Sequence, residues 1–212
     1  MWGPDSEQIY FFSDRSGRYE QWRIHRDGSG LQQITLSEGT SMSNPCPSPD
    51  GKTLAVPVFS GDIATTSGLV DLTGPLPQRS VQHLPPVDET HGFGVTGWSP
   101  DGKWLVGLLT TTTTGDGVAI YSVQNKKYEI LTRTGFPVAW LPDGRRILFR
   151  DKNSLLTVDV ATKKTQTVLD KLGAGFTNIS LARDGRTLLG VRADNQSDIW
   201  MVGPPESTPE TP

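Results

Sequence analysis

The chain has little of what would place it in several large protein classes. Its 212 residues include a single cysteine, Cys46, which cannot form an internal disulfide. Lysine and arginine number 20 against 23 acidic residues, giving a formal net charge of −3, and they are scattered along the chain. Nucleic-acid binding needs a concentrated cationic face, so no nucleic-acid partner is predicted. No apolar run approaches the roughly 18 residues of a membrane span, so no membrane insertion is predicted.

Glycine and proline are abundant instead. They number 23 and 16, nearly a fifth of the chain. This many glycines and prolines divide a sequence into many short elements, and so they argue against long helices. The hydrophobic content of 34% suits sheets that keep one face in water. Composition therefore favours an all-β protein.

A short turn motif returns five times. Its copies are Pro4-Asp5, Ser48-Pro49-Asp50-Gly51, Ser99-Pro100-Asp101-Gly102, Leu141-Pro142-Asp143-Gly144 and Ala182-Arg183-Asp184-Gly185. Their aspartates stand at positions 5, 50, 101, 143 and 184, so the intervals are 45, 51, 42 and 41 residues. The blades of a β-propeller, each a four-stranded sheet, repeat at about 40–50 residues. The spacing therefore predicts about five propeller blades.

Each copy has the chemistry of a hairpin corner. Proline presets φ, aspartate accepts hydrogen bonds from nearby amides, and glycine supplies a left-handed residue. The residues that follow begin with a cation and continue apolar, as a strand leaving a solvent-facing turn does: 52–56, 103–106, 146–149 and 186–189. The motif therefore predicts the turn between the first and second strands of a blade.

Two further strands are predicted in most units. A third strand follows about twelve to twenty residues after the corner. It is predicted at 21–24, 68–72, 118–121, 155–159 and 198–202. A fourth, alternating strand is predicted at 31–35, 128–132 and 165–169. Alternation of period two under a fixed longer period is typical of radially stacked sheets.

The units Trp98-Ser99-Pro100-Asp101-Gly102-Lys103 and Ser197-Asp198-Ile199-Trp200-Met201-Val202 resemble the repeats of TolB-like β-propellers. The resemblance covers residues 2–203 and implies an all-β propeller of about five four-stranded blades. Blades of this bacterial family occur in the periplasmic Tol system and in proteins fused to kinases or winged-helix regulators. The repeat is specific for fold and poor for function, because the same blades serve many tasks.

The first and last units are expected to be incomplete. Only Met1-Trp2-Gly3 precedes the first corner, and the last unit stops after its third strand. Since the family commonly has six or more blades, we expect an open arc, or the carboxy-terminal part of a larger propeller. Open blade edges would favour self-association. Residues 1–203 are predicted to form the blades and residues 204–212 a disordered proline-rich tail.

The compartment is left open by the sequence. Its first five residues have neither the basic nor the apolar region of a signal peptide. We expect a periplasmic or cytoplasmic portion of a bacterial protein.

Two segments contain residue types that are common in chemical sites. His83, Asp88, Glu89 and His91 lie close together in one long connection and offer imidazole and carboxylate groups that can bind a metal ion. Residues 92–97 match G-x-G-x-x-G, but a corner follows at once, so no helix is available to receive a pyrophosphate. We predict a glycine-rich loop that enters an inner strand. No catalytic, cofactor-binding or metal-binding residue is assigned.

A contact face is predicted where the loops between second and third strands emerge together. Neighbouring opposite charges beside an aromatic ring are typical of protein-contact surfaces. The predicted partner-binding residues are Asp14, Arg15, Arg18, Tyr19, Asp62, Asp116, Lys152 and Asp194. Trp2, Trp98 and Trp140 precede three corners and are predicted to pack between blades.

These features favour a noncatalytic module, a scaffold or sensor that binds a protein or peptide and needs no cofactor. The alternative is a propeller lyase or glycosidase, or the accessory propeller of a serine peptidase. The chain contains no G-x-S-x-G element, so a peptidase would need a separate catalytic domain.

Overall fold

The structure, a computed structural model, describes residues 1–36, 41–59, 65–77, 80–111, 115–172, 176–182 and 184–192. All regular structure in these ranges is β-strand, and the strands pair in antiparallel fashion. They contain no helix long and apolar enough to cross a membrane. The predicted all-β class is confirmed.

The first two sheets contain the first eight strands. The first sheet has the order β1 (Gln8–Ser13), β2 (Glu20–His25), β3 (Gln32–Gln33). Trp2 forms an isolated bridge with Ile9 and so begins an inner strand. In the second sheet the inner strand is in two pieces, β4 (Ser41–Met42) and β5 (Cys46–Pro47), which both pair with β6 (Thr53–Phe59). The sheet continues with β7 (Thr66–Asp71) and β8 (Gln82–His83).

The next two sheets are complete four-stranded blades. The third consists of β9 (Gly92–Trp98), β10 (Trp104–Thr110), β11 (Gly115–Ser122) and β12 (Lys127–Thr132). The fourth consists of β13 (Phe136–Trp140), β14 (Arg146–Asp151), β15 (Ser154–Asp159) and β16 (Thr165–Leu169). The fifth sheet has two strands within the described residues, β17 (Phe176–Leu181) and β18 (Leu188–Arg192). Each sheet follows chain order, as in propeller blades.

The predicted strands agree with this order, with two differences. The G-x-G-x-x-G segment is not a loop that enters an inner strand; residues 92–97 are themselves most of β9. The short strands β4 and β8 of the second blade were not predicted, because two residues are too few to show alternation. The predicted third strand at 198–202 and the predicted tail at 204–212 lie outside the described residues.

The corner before β6 shows how the repeated motif folds. Gly51 donates from its amide to the Ser48 carbonyl at 2.9 Å and has a φ of 70°, which glycine adopts without steric cost. Ser48 Oγ donates to Asp50 Oδ1 at 2.6 Å, and the Lys52 amide donates to the same oxygen at 3.1 Å. The Thr53 amide donates to Ser48 Oγ at 3.0 Å. These bonds close the corner and start β6 beside β5.

The third corner repeats these bonds, and the others vary them. Leu141 and Ala182 stand where serine would, and there Asp143 and Asp184 each accept two backbone amides. In the first corner Ser6 takes the left-handed position with a φ of 60°. The aspartate and the left-handed residue are thus the constant parts of the motif.

Three apolar cores lie between successive blades. The first contains Tyr10, Ile34, Leu54, Val56, Val58 and Val70. The second contains Cys46, Ala55, Leu84, Phe93, Val95, Leu105, Ala119 and Tyr121. The third contains Val106, Val118, Ile120, Leu131, Trp140, Ile147, Phe149 and Val158. Because both faces of β6, β10 and β14 are covered, their apolar runs are nearly continuous.

The blades form an open arc within the described residues, where every residue of the last strand, β18, is exposed. The outer strand of the fifth sheet leaves Leu189 and Val191 more than half exposed. The tryptophans also differ between the ends of the arc and its middle. Trp98 packs against the second core and Trp140 lies in the third, whereas Trp2 is 51% exposed. The packing expected for Trp2 is wrong, because no earlier blade among the described residues covers it.

Replacing Asp101 by alanine tests the corner. The Ser99 hydroxyl and then the Lys103 amide stabilise the charged carboxylate and hold the pKa of Asp101 below its usual value. Because the folded-state pKa is the lower one, this stabilisation is present above about pH 4 and is lost as the pH falls through the folded value. We expect Asp101→Ala to lower the free energy of unfolding by about 1 kcal/mol at pH 7, and by much less near pH 2.

Urea unfolding at both pH values measures the difference, with the exposed Asp14→Ala as a matched control. Equal destabilisation by the two variants at pH 7 would contradict the role of the corner carboxylate.

Gly107→Ala tests the close approach of β10 to β9. A methyl group at Gly107 would lie 2.6 Å from the Gly94 carbonyl oxygen and 2.6 Å from the Phe93 ring. We expect a loss of about 1–3 kcal/mol in the free energy of unfolding, because the core must move apart. Gly97→Ala is the control, since its nearest neighbour would be Val106 Cγ1 at 3.7 Å. Similar unfolding midpoints for the two variants would show that β10 has room to shift.

Candidate binding channel

A channel runs along the inner strands of the blades. Three cavities, of about 600, 490 and 580 Å³, are lined mainly by first-strand residues. The first and second share Asn178 and Ile179. The second and third share Met1, Cys46 and Thr96. Neighbouring cavities thus share wall residues along the inner strands, and the three together are called here the channel.

The two ends of the channel differ in chemistry. The corner end is lined by Trp2, Trp98 and Trp140 together with prolines of four corners. The corner prolines are Pro4, Pro49, Pro100 and Pro142, and Pro47 of β5 lies beside them. Trp98 Nε1 donates to the Cys46 carbonyl at 2.8 Å and so ties the third blade to the second. This end is an apolar groove, called here the tryptophan–proline groove.

The opposite end is cationic. Phe136, Arg150 and Lys152 line it, and Phe136 is 53% exposed. Arg150 Nε donates to the Lys152 carbonyl at 2.9 Å, and Arg150 Nη1 donates to the Phe176 carbonyl at 2.6 Å. The guanidinium is therefore fixed between the fourth and fifth blades. This end, called here the basic mouth, presents two cations beside an exposed aromatic ring.

Polar side chains line the middle of the channel. Asn44, Thr96, Asn178 and Ser180 contribute to its wall. Asn178 has a φ of 36° at a register shift in β17, so its backbone is in the left-handed region that few side chains adopt. Such local strain is often found at functional sites. Among the described residues this part of the wall offers hydrogen-bonding groups and no carboxylate, as suits an uncharged or acidic ligand.

The structure places the predicted contact residues on two separated parts of one end. Asp14, Arg15, Arg18 and Tyr19 are exposed in the turn between β1 and β2, and Lys152 is in the corresponding turn of the fourth blade. Lys152 lines the basic mouth, whereas the other four belong to the rim of the first blade. Asp62 and Asp194 lie outside the described residues, as does the side chain of Asp116.

Arg15 is held in place by aromatic rings. Its guanidinium carbon lies 4.9 Å from the centroid of the Phe11 ring and 5.2 Å from that of Trp22. Arg15 Nε also donates to Ser13 Oγ at 3.2 Å. Tyr19 packs near Phe12, with ring centroids 5.8 Å apart. The rim of the first blade is thus an ordered surface of cation and aromatic rings.

The histidine connection is held together locally. Asp88 Oδ1 accepts from the amides of Thr90 and His91, and it lies 2.8 Å from His91 Nδ1. The Thr90 amide and the His91 ring are the main causes that lower the pKa of Asp88. His83 stands apart in β8. Across the described residues no group of three His, Cys, Asp or Glu side chains is placed to hold a metal ion.

Several channel residues were missed by sequence reasoning. Asn44, Thr96, Asn178, Ser180, Phe136 and Arg150 are ordinary strand or loop residues in the sequence. Alternation along β13 and β17 separates two faces but does not say which strand edge is nearest the axis. Only the identification of the residues before each corner as the innermost strand could have indicated them.

Comparison with known proteins identifies the fold. No protein-family model matches the chain. Over 105 residues it is 30% identical to an uncharacterised protein of Agrobacterium fabrum, and the match covers 48% of this chain and 36% of that protein. The match thus spans about a third of the length of the curated relative.

Two solved structures are similar over 91% of this chain. One is a proposed TolB of Agrobacterium tumefaciens, with a TM-score of 0.72, 20% identity and 68% of that chain covered. The other is TolB of Acinetobacter baumannii, with a TM-score of 0.68, 19% identity and 49% of that chain covered. At these identities the likeness shows the fold alone. The predicted TolB-like β-propeller is confirmed.

More distant structures with this fold differ in activity. YCF48 bound to D1 peptide has a TM-score of 0.58 at 16% identity, covering 82% of this chain and 56% of that one. A prolyl endopeptidase has a TM-score of 0.57 at 15% identity, and the match covers 85% of this chain and 30% of that one. An oligogalacturonate lyase in complex with manganese has a TM-score of 0.54 at 13% identity, and the match covers 91% of this chain and 69% of that one. The fold is therefore compatible with binding proteins and with enzymes.

The thiol in the channel wall is expected to be unreactive. Cys46 is 3% exposed, and desolvation raises its pKa to about 12. At pH 8 the thiolate fraction is then smaller than that of an unperturbed cysteine by a factor on the order of 10³. We expect a disulfide reagent such as DTNB to label the native chain at least on the order of 10³ times more slowly than the chain in urea. Equal labelling rates would show that the channel wall opens freely.

Proposed function

We propose that this TolB-like propeller is a noncatalytic module that binds a protein or peptide at the basic mouth and the adjoining rim of the first blade. The single observation that carries the proposal is the arrangement of Arg150 and Lys152 beside the exposed Phe136 at one end of the channel. The expected partner segment combines acidic and apolar side chains. The module would act as a scaffold or sensor within a larger bacterial signalling or envelope protein.

The rigidity of the mouth supports this proposal. Arg150 is fixed by two backbone carbonyls, and Arg15 by two aromatic rings and a serine hydroxyl. Cations that are already held in place lose little conformational freedom when a partner binds. Tyrosine, phenylalanine and arginine are also the residue types enriched in protein-contact surfaces.

A structure with the same fold supports peptide binding in particular. YCF48 is solved with a bound D1 peptide. A passage open at a cationic, aromatic mouth could likewise accept an extended segment, whose backbone would meet the polar side chains of Asn178 and Ser180. Within the described residues no group of three His, Cys, Asp or Glu side chains is placed to hold a metal ion, so we propose no manganese-dependent lyase site there.

Charge reversal tests the proposal. We expect Arg18→Glu with Lys152→Glu to reduce partner binding by about tenfold at low salt, because rim charges attract an acidic partner. The matched control is Lys127→Glu with Lys164→Glu, which makes the same charge change at exposed residues that do not line the mouth. Bound proteins would be cross-linked in a bacterial extract, identified, and measured by titration with each purified variant.

Undiminished affinity of the mouth variant would show that the partner does not bind at the basic mouth. Loss of binding in both double variants would point to net charge rather than to a defined surface.

A further inference from the structure

The inner edge of β1 is only partly covered by the first blade's own inner strand. The Met1 ammonium donates to the Tyr10 carbonyl at 2.7 Å, and the Tyr10 amide donates to the Met1 carbonyl at 2.8 Å. Nearer the corner, the Gly3 amide donates to the Gln8 carbonyl at 2.7 Å. Among the described residues no pairing follows on this edge beyond Tyr10. The mouth-side half of β1, residues 11–13, therefore has a strand on one side only.

The backbone groups of Phe12 point to this open edge. In an antiparallel pair the hydrogen-bonding groups alternate between the two sides of a strand. Since Tyr10 bonds to Met1 on the inner side, Phe12, two residues further along, has its N–H and C=O on the same side. Gln21, opposite Phe12 in β2, bonds in the other direction, because its carbonyl accepts from the Ile34 amide. Neither backbone group of Phe12 has a partner within the described ranges.

Other blades show what occupies this place. Leu108 stands seven residues after the aspartate of its corner, as Phe12 does, and it pairs with Gly94 of the inner strand β9. In the second blade the inner strand is in two separate pieces, and the mouth-side piece, β4, has only two residues. A short extended segment is therefore sufficient to pair with the mouth end of a second strand.

We propose that the partner binds through an extended segment that is added as a strand at this edge, antiparallel to β1 and opposite Phe12. The inference rests on the proposed function for the kind of partner and adds how the first blade holds it. The edge opens into the channel, because Met1 lines the cavity of about 490 Å³ together with Asn178 and Ser180. At an exposed sheet edge, main-chain hydrogen bonds give affinity and alternate side chains of the segment give specificity.

The two faces of β1 indicate the side chains of that segment. Directly opposite residues in a sheet place their side chains on the same face. The Phe12 side chain is 40% exposed and its ring centroid lies 5.8 Å from that of Tyr19, so the residue opposite Phe12 meets apolar surface. Its two neighbours face the other side, where the Arg15 guanidinium lies over the Phe11 ring. The segment therefore alternates apolar residues with acidic residues that pair with Arg15.

The turn beside the edge is positively charged. It contains Arg15 and Arg18 against Asp14, and all three are exposed. The acidic residue of β2, Glu20, is 2% exposed and accepts from Thr35 Oγ1 at 2.6 Å, so it is not offered to a ligand. We therefore expect the acidic residues of the segment to add affinity that weakens at high salt.

Backbone methylation of a synthetic peptide tests the proposal. The probe is an acetylated and amidated hexapeptide in which valine alternates with glutamate. As an added strand it places a valine opposite Phe12 and glutamates towards Arg15, so the valine amides point to β1 and the glutamate amides point away. We expect methylation of the valine nitrogens to lower the affinity for the full chain at least about tenfold, relative to the matched peptide methylated at the glutamate nitrogens. Titration followed by NMR measures both affinities.

Phe12→Pro tests the same contact from the protein. Proline removes the Phe12 N–H, which bonds to no described residue, and edge strands tolerate proline at such positions. The matched control, Phe12→Ala, removes the ring and keeps the N–H. We expect the proline variant to bind the unmethylated peptide at least about fivefold more weakly than the alanine variant.

Hydrogen exchange in the unaltered chain gives a measurement that needs no variant to fold. Saturating peptide should slow exchange of the Phe12 amide at least about tenfold, because the amide gains a hydrogen bond. The Tyr10 amide, already bonded to Met1, should change little.

Equal affinity for the two methylated peptides would overturn strand addition. So would an unchanged exchange rate at Phe12, or no binding at millimolar peptide. A peptide that is insensitive to the site of methylation but weakened by Lys152→Glu would keep the basic mouth as the binding site and overturn only the added strand. Strand addition at Phe12 that is unaffected by Lys152→Glu would keep the edge site and count against the basic mouth.

Discussion

The hydrogen-bonded corner between the first and second strands is the constraint on which the other features depend. A left-handed residue reverses the chain within four residues, and the aspartate carboxylate accepts the amides that the reversal leaves unpaired. Because the corner also fixes register, it decides which face of each second strand meets the next blade. A slip of one residue would turn the fully buried Leu54 or Leu105 from one core between blades to the opposite one, where the packing differs.

Packing between blades then creates the channel. The second strands of the second, third and fourth blades, β6, β10 and β14, are buried, and apolar side chains of neighbouring sheets pack against them. The first strands lie at the inner edge of the sheets, where polar side chains such as Asn44 and Asn178 can line a wall. A rigid scaffold with a lined passage leaves function to the loops and rims, which is why one fold is found in binding proteins and in enzymes.

The sequence is constrained differently at the two ends of the channel. The corner end is built from the repeated motif, so its prolines and tryptophans recur with the blades and form an apolar groove. The opposite end is built from turns that carry no shared motif, and there Arg15, Arg150 and Lys152 bring positive charge. The end that folding constrains is therefore uniform, whereas the other end can be specialised for a partner.

The sequence by itself determined what is local. The left-handed φ at Gly51 and the amides accepted by Asp50 depend on adjacent residues, so the corners, most strands and the number of blades could be predicted. Only the tertiary structure decided that Arg150 and Phe136 form a mouth, and that Trp2 is exposed while Trp140 is buried. Equivalent residues in the repeat differ there because exposure depends on which blade is adjacent, and that neighbour is distant in sequence.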